Sequence, residues 1–363
     1  MNTIANGQAS HAEGDMTQAD GQSSHAEGMN SQSYGDYSHA EGNGSQASGS
    51  AAHTEGTETI TSGDSAHAEG YMTSALTKNS HAEGDRTIVE GEAAHAEGYN
   101  TQANGSYSHA EGYQSKADGQ YSHAEGGYQT NAYGICSHAE GYETQAFGQA
   151  GHSEGKLTSA NGDYSHAEGY ETQAIGNCSH AEGSATTANG LVSHTSGVGT
   201  QTYNQGEFAC GRWNLSTSGR IEDINATIFS VGYGSASVIR RNAIEVTATG
   251  ALKANTSWTT GSDRKLKNNI RPLEDGALDK VMKLVPTRFT LKNDISNKEQ
   301  IGFIAQEVEE VFPEYVTVST NNEKEETRYL DYEKMCSVLC KALQELTDEV
   351  KTLKDELTEL KSK

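Results

Sequence analysis

The chain has 363 residues, of which 33% are apolar and 7% aromatic, with 40 Gly, 3 Pro and a formal net charge of −24. So little apolar material excludes a large conventional hydrophobic core. The negative charge, concentrated in residues 1–200 with 25 acidic and 4 basic side chains, disfavours binding to nucleic acid and to anionic membranes.

The termini and the cysteines give further expectations about where the protein is made. Residues 1–9 show no basic and apolar signal segment, and no apolar run reaches the length of a membrane span. We therefore expect no secretion signal and no membrane insertion. The five Cys are odd in number and form no C-x-x-C pair, which is typical of free thiols in a reducing cytoplasm.

Residues 1–211 are dominated by a repeat of fourteen residues. Each unit contains Ser-His-Ala-Glu-Gly or a near variant, and a related half-unit such as Thr101-Gln102-Ala103-Asn104-Gly105 follows seven residues later. The spacing of the histidines is 14 except for one step of 15, where Gly126-Gly127 supplies an inserted residue. All fourteen His share this register: His11, His25, His39, His53, His67, His81, His95, His109, His123, His138, His152, His166, His180 and His194.

This period predicts a parallel β-solenoid in which each unit forms one coil. Alternate side chains of a strand point to opposite faces, so Ala would face a narrow lumen while His and Glu both point outward. The lumen should accept only Ala, Ser or Thr, and Gly should turn each corner. Coils stacked about 4.8 Å apart would give a rod on the order of 65 Å long.

The repeat resembles the fourteen-residue head repeat of trimeric autotransporter adhesins and the Ser-His-Ala-Glu-Gly arrays of phage tail fibres. The resemblance covers residues 1 to about 211 and implies a trimeric shaft. Where the adhesin unit has apolar residues beside its central Ala, this chain has His and Glu.

Three interpretations of the His and Glu rows stay open. They could bind metal, although one His per coil does not complete a ligand set within one chain. They could form a solvated face with no further role. They could also lie on a trimer axis, with the pKa of each imidazole raised by carboxylate neighbours. The third is favoured because this half-unit is nearly constant while the other half varies, as at Lys116/Asp118 and Gln145/Phe147.

The repeat fades after Gly211, and residues 212–261 are predicted to form a β-rich neck. Apolar residues 228–232 and the alternating stretch 242–250 indicate strands. The neck could intertwine three chains or be a small hairpin linker.

Residues 262–335 have a different composition, with all three Pro, and predict a small α+β domain with a helix over 276–284 and a strand over 287–291. In residues 336–363 apolar side chains recur at alternating spacings of 3 and 4, which predicts a coiled coil; the resemblance given below implies that it is trimeric. These apolar seam residues are Cys336, Leu339, Leu343, Leu346, Val350, Leu353, Leu357 and Leu360.

The C-terminal segment resembles the intramolecular chaperone domain of phage tailspikes and endosialidases. The resemblance rests on the Ser-Asp-Arg-Lys-Leu-Lys opening at 262–267, the turn at 285–289, the block 302–313 and Leu330-Asp331-Tyr332. It implies trimerisation, templated folding of the upstream fibre, and self-cleavage between Gly261 and Ser262. Ser262 would then be the nucleophile, Lys267 its general base and Asp263 a supporting residue.

These observations together predict a mainly β, homotrimeric phage tail fibre or tailspike. It would be made in the host cytoplasm, reside in the virion tail, and contact a host surface receptor such as a glycan. The alternatives are a bacterial surface adhesin and a glycan-degrading tailspike. We assign no cofactor and no metal ligand, and the predicted enzymatic activity is confined to a single self-cleavage.

Overall fold

A computed structural model describes residues 3–216, 226–248, 250–255, 262–292, 297–320 and 325–362. The chain divides into two compact units, Met1–Trp258 and Thr259–Lys363. The first unit confirms the predicted parallel β-solenoid, with a long and a short strand in each coil.

The long strands of the solenoid begin at the repeated His and stack in parallel. Identical positions pair directly, as in His67 with His81, Ala68 with Ala82 and Glu69 with Glu83. This in-register pairing follows from the repeat, because a slip of one residue would turn every Ala out of the lumen. The long strands are His11–Asp15, His25–Met29, His39–Asn43, His53–Thr57, His67–Tyr71, His81–Asp85, His95–Tyr99, His109–Tyr113, His123–Tyr128, His138–Tyr142, His152–Lys156, His166–Tyr170, His180–Ser184, His194–Val198 and Phe208–Arg212.

The short strands form a second parallel sheet of fifteen strands in the described residues. Each has two residues, so the two half-units of the repeat do not form equal strands as their similar sequences suggested. The short strands are Ile4–Ala5, Gln18–Ala19, Gln32–Ser33, Gln46–Ala47, Ile60–Thr61, Ser74–Ala75, Ile88–Val89, Gln102–Ala103, Lys116–Ala117, Asn131–Ala132, Gln145–Ala146, Ser159–Ala160, Gln173–Ala174, Thr187–Ala188 and Gln201–Thr202.

The lumen is filled mainly by small side chains, as predicted, and Val89 and Glu207 are among the departures. Ala103 and Ala110 are fully buried, as are Thr101 and most other residues at the equivalent positions. Val89 lies between Ala75 and Ala103 in the stacked short strands. Val is close in volume to Thr, which fills the equivalent position at Thr61, so Val89 needs no wider lumen.

The corners use glycine as predicted, and they also use residues that are not glycine. In most coils two such residues have a positive φ, for example Asn79 (56°) and Arg86 (56°). The glycines permit close approach between coils: a Cβ on Gly91 would lie 2.0 Å from the carbonyl oxygen of Gly105. Gly84 combines both demands, with a φ of 113° and 2.1 Å from its Cβ position to the Gly98 oxygen.

The inserted residue at Gly126-Gly127 is absorbed locally, as the spacing suggested. The strand His123–Tyr128 has six residues, and its register with the next long strand shifts between Gly126 and Tyr128. The pairing of His123 with His138 is retained. The β-bulge therefore preserves the His row across the insertion.

The neck continues the solenoid sheet and then reverses direction. Thr227–Tyr233 pairs in parallel with Phe208–Arg212 as one further rung. Asn242–Thr247 and Leu252–Ala254 then add antiparallel strands. Within one chain these strands form a β-meander.

The C-terminal unit is a small α+β domain with its own apolar core. Its described elements are the 3₁₀-helices Arg264–Leu266 and Pro313–Tyr315, the helices Ala277–Val281, Ala305–Val311 and Tyr332–Ser362, the strand pair Thr287–Phe289 with Gln300–Gly302, and the strand pair Val316–Thr320 with Glu326–Leu330. The core contains Ala277, Val308, Phe312, Tyr315, Met335, Val338 and Ala342.

Helix Tyr332–Ser362, called the C-terminal helix below, has two apolar faces. Met335, Val338 and Ala342 pack into the domain core. Of the predicted seam, Cys336 is exposed, and the residues from Leu339 onward remain 40–69% exposed. The helix therefore packs against its own domain through residues other than those of the seam.

Candidate functional site

The first described residues of the C-terminal unit bring Ser262 and Lys267 together. The Nζ of Lys267 donates a hydrogen bond of 2.6 Å to the Oγ of Ser262. The intervening 3₁₀-helix Arg264–Leu266 turns the chain back, and the Lys267 backbone N–H bonds the carbonyl of Arg264. One helical turn is thus sufficient to bring the two side chains into contact.

Asp263 supports this turn rather than contacting the pair directly. It is the N-cap of the 3₁₀-helix, and its Oδ1 accepts a bond of 3.0 Å from the backbone N–H of Lys265. Its Oδ2 lies 3.2 Å from the Nζ of Lys265. Because the cap fixes the start of the turn, Asp263 positions Ser262 relative to Lys267.

The pair has the geometry of a nucleophile and a base, but it is exposed in the single chain. Ser262, Asp263 and Lys267 all lie at the surface. A lysine acts as a general base only where burial or nearby positive charge favours its neutral form. Gly261, the other residue of the predicted cleavage site, lies outside the described residues.

The second candidate surface is the His–Glu face, defined as the outward His and Glu of the long strands. Neighbouring imidazoles are stacked with centroids 4.6–5.0 Å apart. Within a coil the Nε2 of His and the Oε2 of Glu are 3.3–3.9 Å apart, too long for most to be hydrogen bonds. The Nε2 atoms from His25 to His194 are sealed from water and have no hydrogen-bond partner.

In the single chain, burial lowers the pKa of several of the stacked imidazoles. For His95, His123 and His166, burial is the largest cause and the neighbouring imidazoles are the next, and together they outweigh the adjacent Glu. The expectation that carboxylates of neighbouring chains raise the pKa concerns the trimer and stays a prediction.

The carboxylates of the row also affect one another. Burial, followed by the charge of Glu97, raises the pKa of Glu83. The pKa of Glu182 is lowered, chiefly by a hydrogen bond with Ser196, which replaces Glu in the next coil. A neighbouring carboxylate and a neighbouring hydroxyl therefore move the pKa of these two Glu in opposite directions.

Several triads on this face bring three potential metal ligands within 4.8 Å of one another, among them His81, Glu83 and His95. The rings of His81 and His95 are stacked 4.6 Å apart with only 3° between their planes. Parallel rings direct their in-plane lone pairs along parallel lines, whereas a bound ion requires convergent ones. The stacked geometry therefore favours packing over metal coordination within one chain.

A buried polar cluster closes the last coil, and the sequence analysis missed it. Glu207 is fully buried at a position where other coils have Ser, Ala or Gly. Its Oε2 accepts bonds of 2.9–3.0 Å from the backbone N–H groups of Tyr203 and Asn204 and from Ser216 Oγ. Burial raises the pKa of Glu207. The interruption of the repeat at this position was the available sequence signal.

A row of stacked tyrosines at the ends of the long strands was also missed. The rings of Tyr99, Tyr113, Tyr128 and Tyr142 follow one another at 4.9, 5.6 and 5.3 Å. The guanidinium of Arg86 lies 5.8 Å from the Tyr99 ring centroid. Unlike the His–Glu face, this row is confined to the middle of the solenoid, because the equivalent residues of the first coils include Asp15.

Residues 262–317 match the family described as Chaperone of endosialidase. The match includes Ser262, Asp263 and Lys267 and ends before the C-terminal helix.

Two curated relatives are long tail fiber proteins Gp37, of Enterobacteria phage M1 and Enterobacteria phage Ox2. The first is 33% identical over 100 residues, and the second is 33% identical over 97 residues; each alignment covers 26% of this chain. The alignments span 39% and 38% of the relatives' own lengths. Together with the solenoid, these matches fit a phage tail fibre with a C-terminal chaperone domain. Among the described helices, none is long and apolar enough to cross a membrane.

Proposed function

We propose that the chain is a homotrimeric tail-fibre protein of the virion that contributes to host attachment, and that its C-terminal unit templates trimer folding before cutting itself off. The observation that carries the cleavage is the bond of 2.6 Å between Lys267 Nζ and Ser262 Oγ, at the first residue of the matched family segment.

The proposed cleavage uses only groups of this chain and water. Ser262 Oγ attacks the carbonyl carbon of Gly261 while Lys267 Nζ accepts the hydroxyl proton. The Gly261–Ser262 amide C–N bond breaks, its nitrogen takes the proton back from Lys267, and an ester to Ser262 Oγ remains. Water then hydrolyses the ester, leaving a Gly261 carboxylate and a Ser262 with a free amino group and hydroxyl.

Trimer formation is supported by the C-terminal helix. Its seam residues Leu343, Leu353 and Leu360 are 64%, 63% and 69% exposed in the single chain. A regular apolar seam of this kind is buried when parallel helices supercoil around one another. Assembly of three chains would also surround the exposed Lys267 with further groups, so cleavage would follow assembly.

The test is intact-mass analysis of the freshly purified full chain beside matched variants. We expect wild type to give fragments 1–261 and 262–363, while Ser262→Ala and Lys267→Met remain whole. Lys265→Met is the control, because its Nζ contacts Asp263 and not Ser262. Wild type that is trimeric by sedimentation yet stays whole would contradict self-cleavage.

The dependence of cleavage on assembly is tested in the same preparations. Leu343→Lys with Leu353→Lys should abolish both the trimer and the cleavage, because charges replace two seam residues. Thr352→Lys adds a charge beside the seam and should change neither. Efficient cleavage in the seam variant would show that one chain suffices.

A further inference from the structure

The His–Glu face is the most regular surface of the first unit. From His25 to His194, the His side chains with a measured Glu contact are 33–37% exposed, and their Glu partners are 33–42% exposed. Each coil thus leaves about one third of the same two side chains uncovered. The tyrosine row, in contrast, changes to Asp, Asn and Thr in the first coils.

The spacing of this face restricts what can cover it along its whole length. Its groups recur every 4.6–5.0 Å through fourteen coils. A partner with another repeat would drift out of register after a few coils. A second solenoid of the same chain, stacked in parallel, has the same strand spacing and stays in register throughout.

The charges of the face are also self-complementary. It carries all fourteen His of residues 1–200 and thirteen of their 25 acidic side chains. Elsewhere on residues 1–200 there are twelve acidic and four basic side chains, which cannot balance one another. The His–Glu face is therefore the surface on which an imidazole row, when protonated, can match a carboxylate row of a neighbouring copy.

We infer that the His–Glu face is the surface along which copies of this chain pack together, with the imidazole row of one copy against the carboxylate row of the next. This inference rests on the proposed trimer, which the seam of the C-terminal helix supports independently. It assigns the opposite face, formed by the short strands, to solvent or to a partner of another kind.

The test is cysteine cross-linking in the full chain, with the five native Cys replaced by Ser and Ser262→Ala added to keep the chain whole. A short bis-maleimide is applied to Glu111→Cys and to Gln102→Cys, which lie on opposite faces of neighbouring coils. We expect covalent dimers and trimers from Glu111→Cys and at least tenfold less from Gln102→Cys. Glu140→Cys and Gln145→Cys repeat the comparison should one of the first pair fail to fold.

Sedimentation of the same samples separates the two proposals. An oligomer that cross-links through Gln102→Cys and Gln145→Cys instead would overturn the inference while the proposed trimer stands. An oligomer that cross-links equally at both faces would also overturn it. A monomer by sedimentation would overturn both the trimer and the inference.

Discussion

Each of the two units must bury enough surface to remain folded, and the two units bury different kinds of side chain. In the solenoid the buried residues are mostly Ala, Ser and Thr, and coils are joined through backbone pairing of identical positions. In the C-terminal unit the core contains Phe312, Tyr315 and Met335. Stability in the first therefore depends on spacing between coils, and in the second on apolar side-chain volume.

Each unit also leaves one ordered surface uncovered. The solenoid exposes a row of His and Glu, and the C-terminal helix exposes a row of Leu. In the proposed trimer, burial of the apolar Leu seam would give a large driving force for association, and the His–Glu face would give specificity of register. This division is consistent with a C-terminal unit that gathers the chains and a shaft that aligns them.

The largest effect should come from adding one methyl group between coils. In Gly84→Ala the Cβ would lie 2.1 Å from the Gly98 oxygen at a φ of 113°, so we expect a loss of at least about 3 kcal/mol in the solenoid. Gly127→Ala, with no atom within 4 Å of its Cβ and φ outside the left-handed region, should be neutral. Hydrogen exchange with mass spectrometry should show faster exchange around residues 81–98 in Gly84→Ala and no change in Gly127→Ala.

If both glycine variants kept the wild-type protection from hydrogen exchange, the spacing between backbones would not determine the stability of the solenoid. Gly91 is a milder position of the same kind, because the equivalent residues are Thr77 and Asn204 in two other coils. That natural replacement shows that the coil tolerates a side chain where φ is not strained. This tolerance does not extend to the repeat position of Gly84, which is Gly in every coil from Gly14 to Gly211.

The repeat alone predicted the coils, the inward Ala and the location of the bulge, because each depends only on spacing and residue size. It predicted the corner glycines but not the positive φ of residues such as Arg86 and Asn79, whose side chains carry no signal for that conformation. The proximity of Ser262 and Lys267 was expected from a family resemblance, while the 3₁₀-turn that produces it was not visible in the sequence. The buried Glu207 was missed because a single carboxylate carries no periodic signal.

The stability of the C-terminal unit should fall when a buried side chain is made smaller, because this unit depends on apolar side-chain volume. Phe312 is 3% exposed and stacks on Tyr315 with 5.3 Å between ring centroids. Phe312→Ala should cost about 3–5 kcal/mol, while Met282→Ala, at a site that is 75% exposed, should change stability by less than about 0.5 kcal/mol. Urea titration followed by hydrogen exchange, in the Ser262→Ala background, reports each unit separately.

In the proposed trimer, protection of the solenoid should be unchanged by Phe312→Ala, since Phe312 packs within the core of the C-terminal unit. A simultaneous loss of protection in both units would show instead that the shaft depends continuously on the C-terminal core. That result would remove the distinction between a template needed for folding and a domain needed for stability.

The smallest effect tests whether hydroxyls in the lumen stabilise the shaft. Thr59 and Thr101 occupy the same position of the repeat and are both fully buried. Thr59 Oγ1 donates to Ser45 Oγ at 2.9 Å, whereas Thr101 Oγ1 has no partner. Thr59→Val should therefore cost about 0.5–1.5 kcal/mol, and Thr101→Val should be neutral or stabilising by up to about 1 kcal/mol, because it removes an unpaired buried hydroxyl at nearly constant volume. Thermal unfolding of the two variants, in which shape changes equally, isolates the hydrogen bond. An equal loss of stability in both variants would mean that the shape of the lumen side chains matters and their polarity does not. The solenoid core would then resemble the core of the C-terminal unit, in which side-chain volume determines stability.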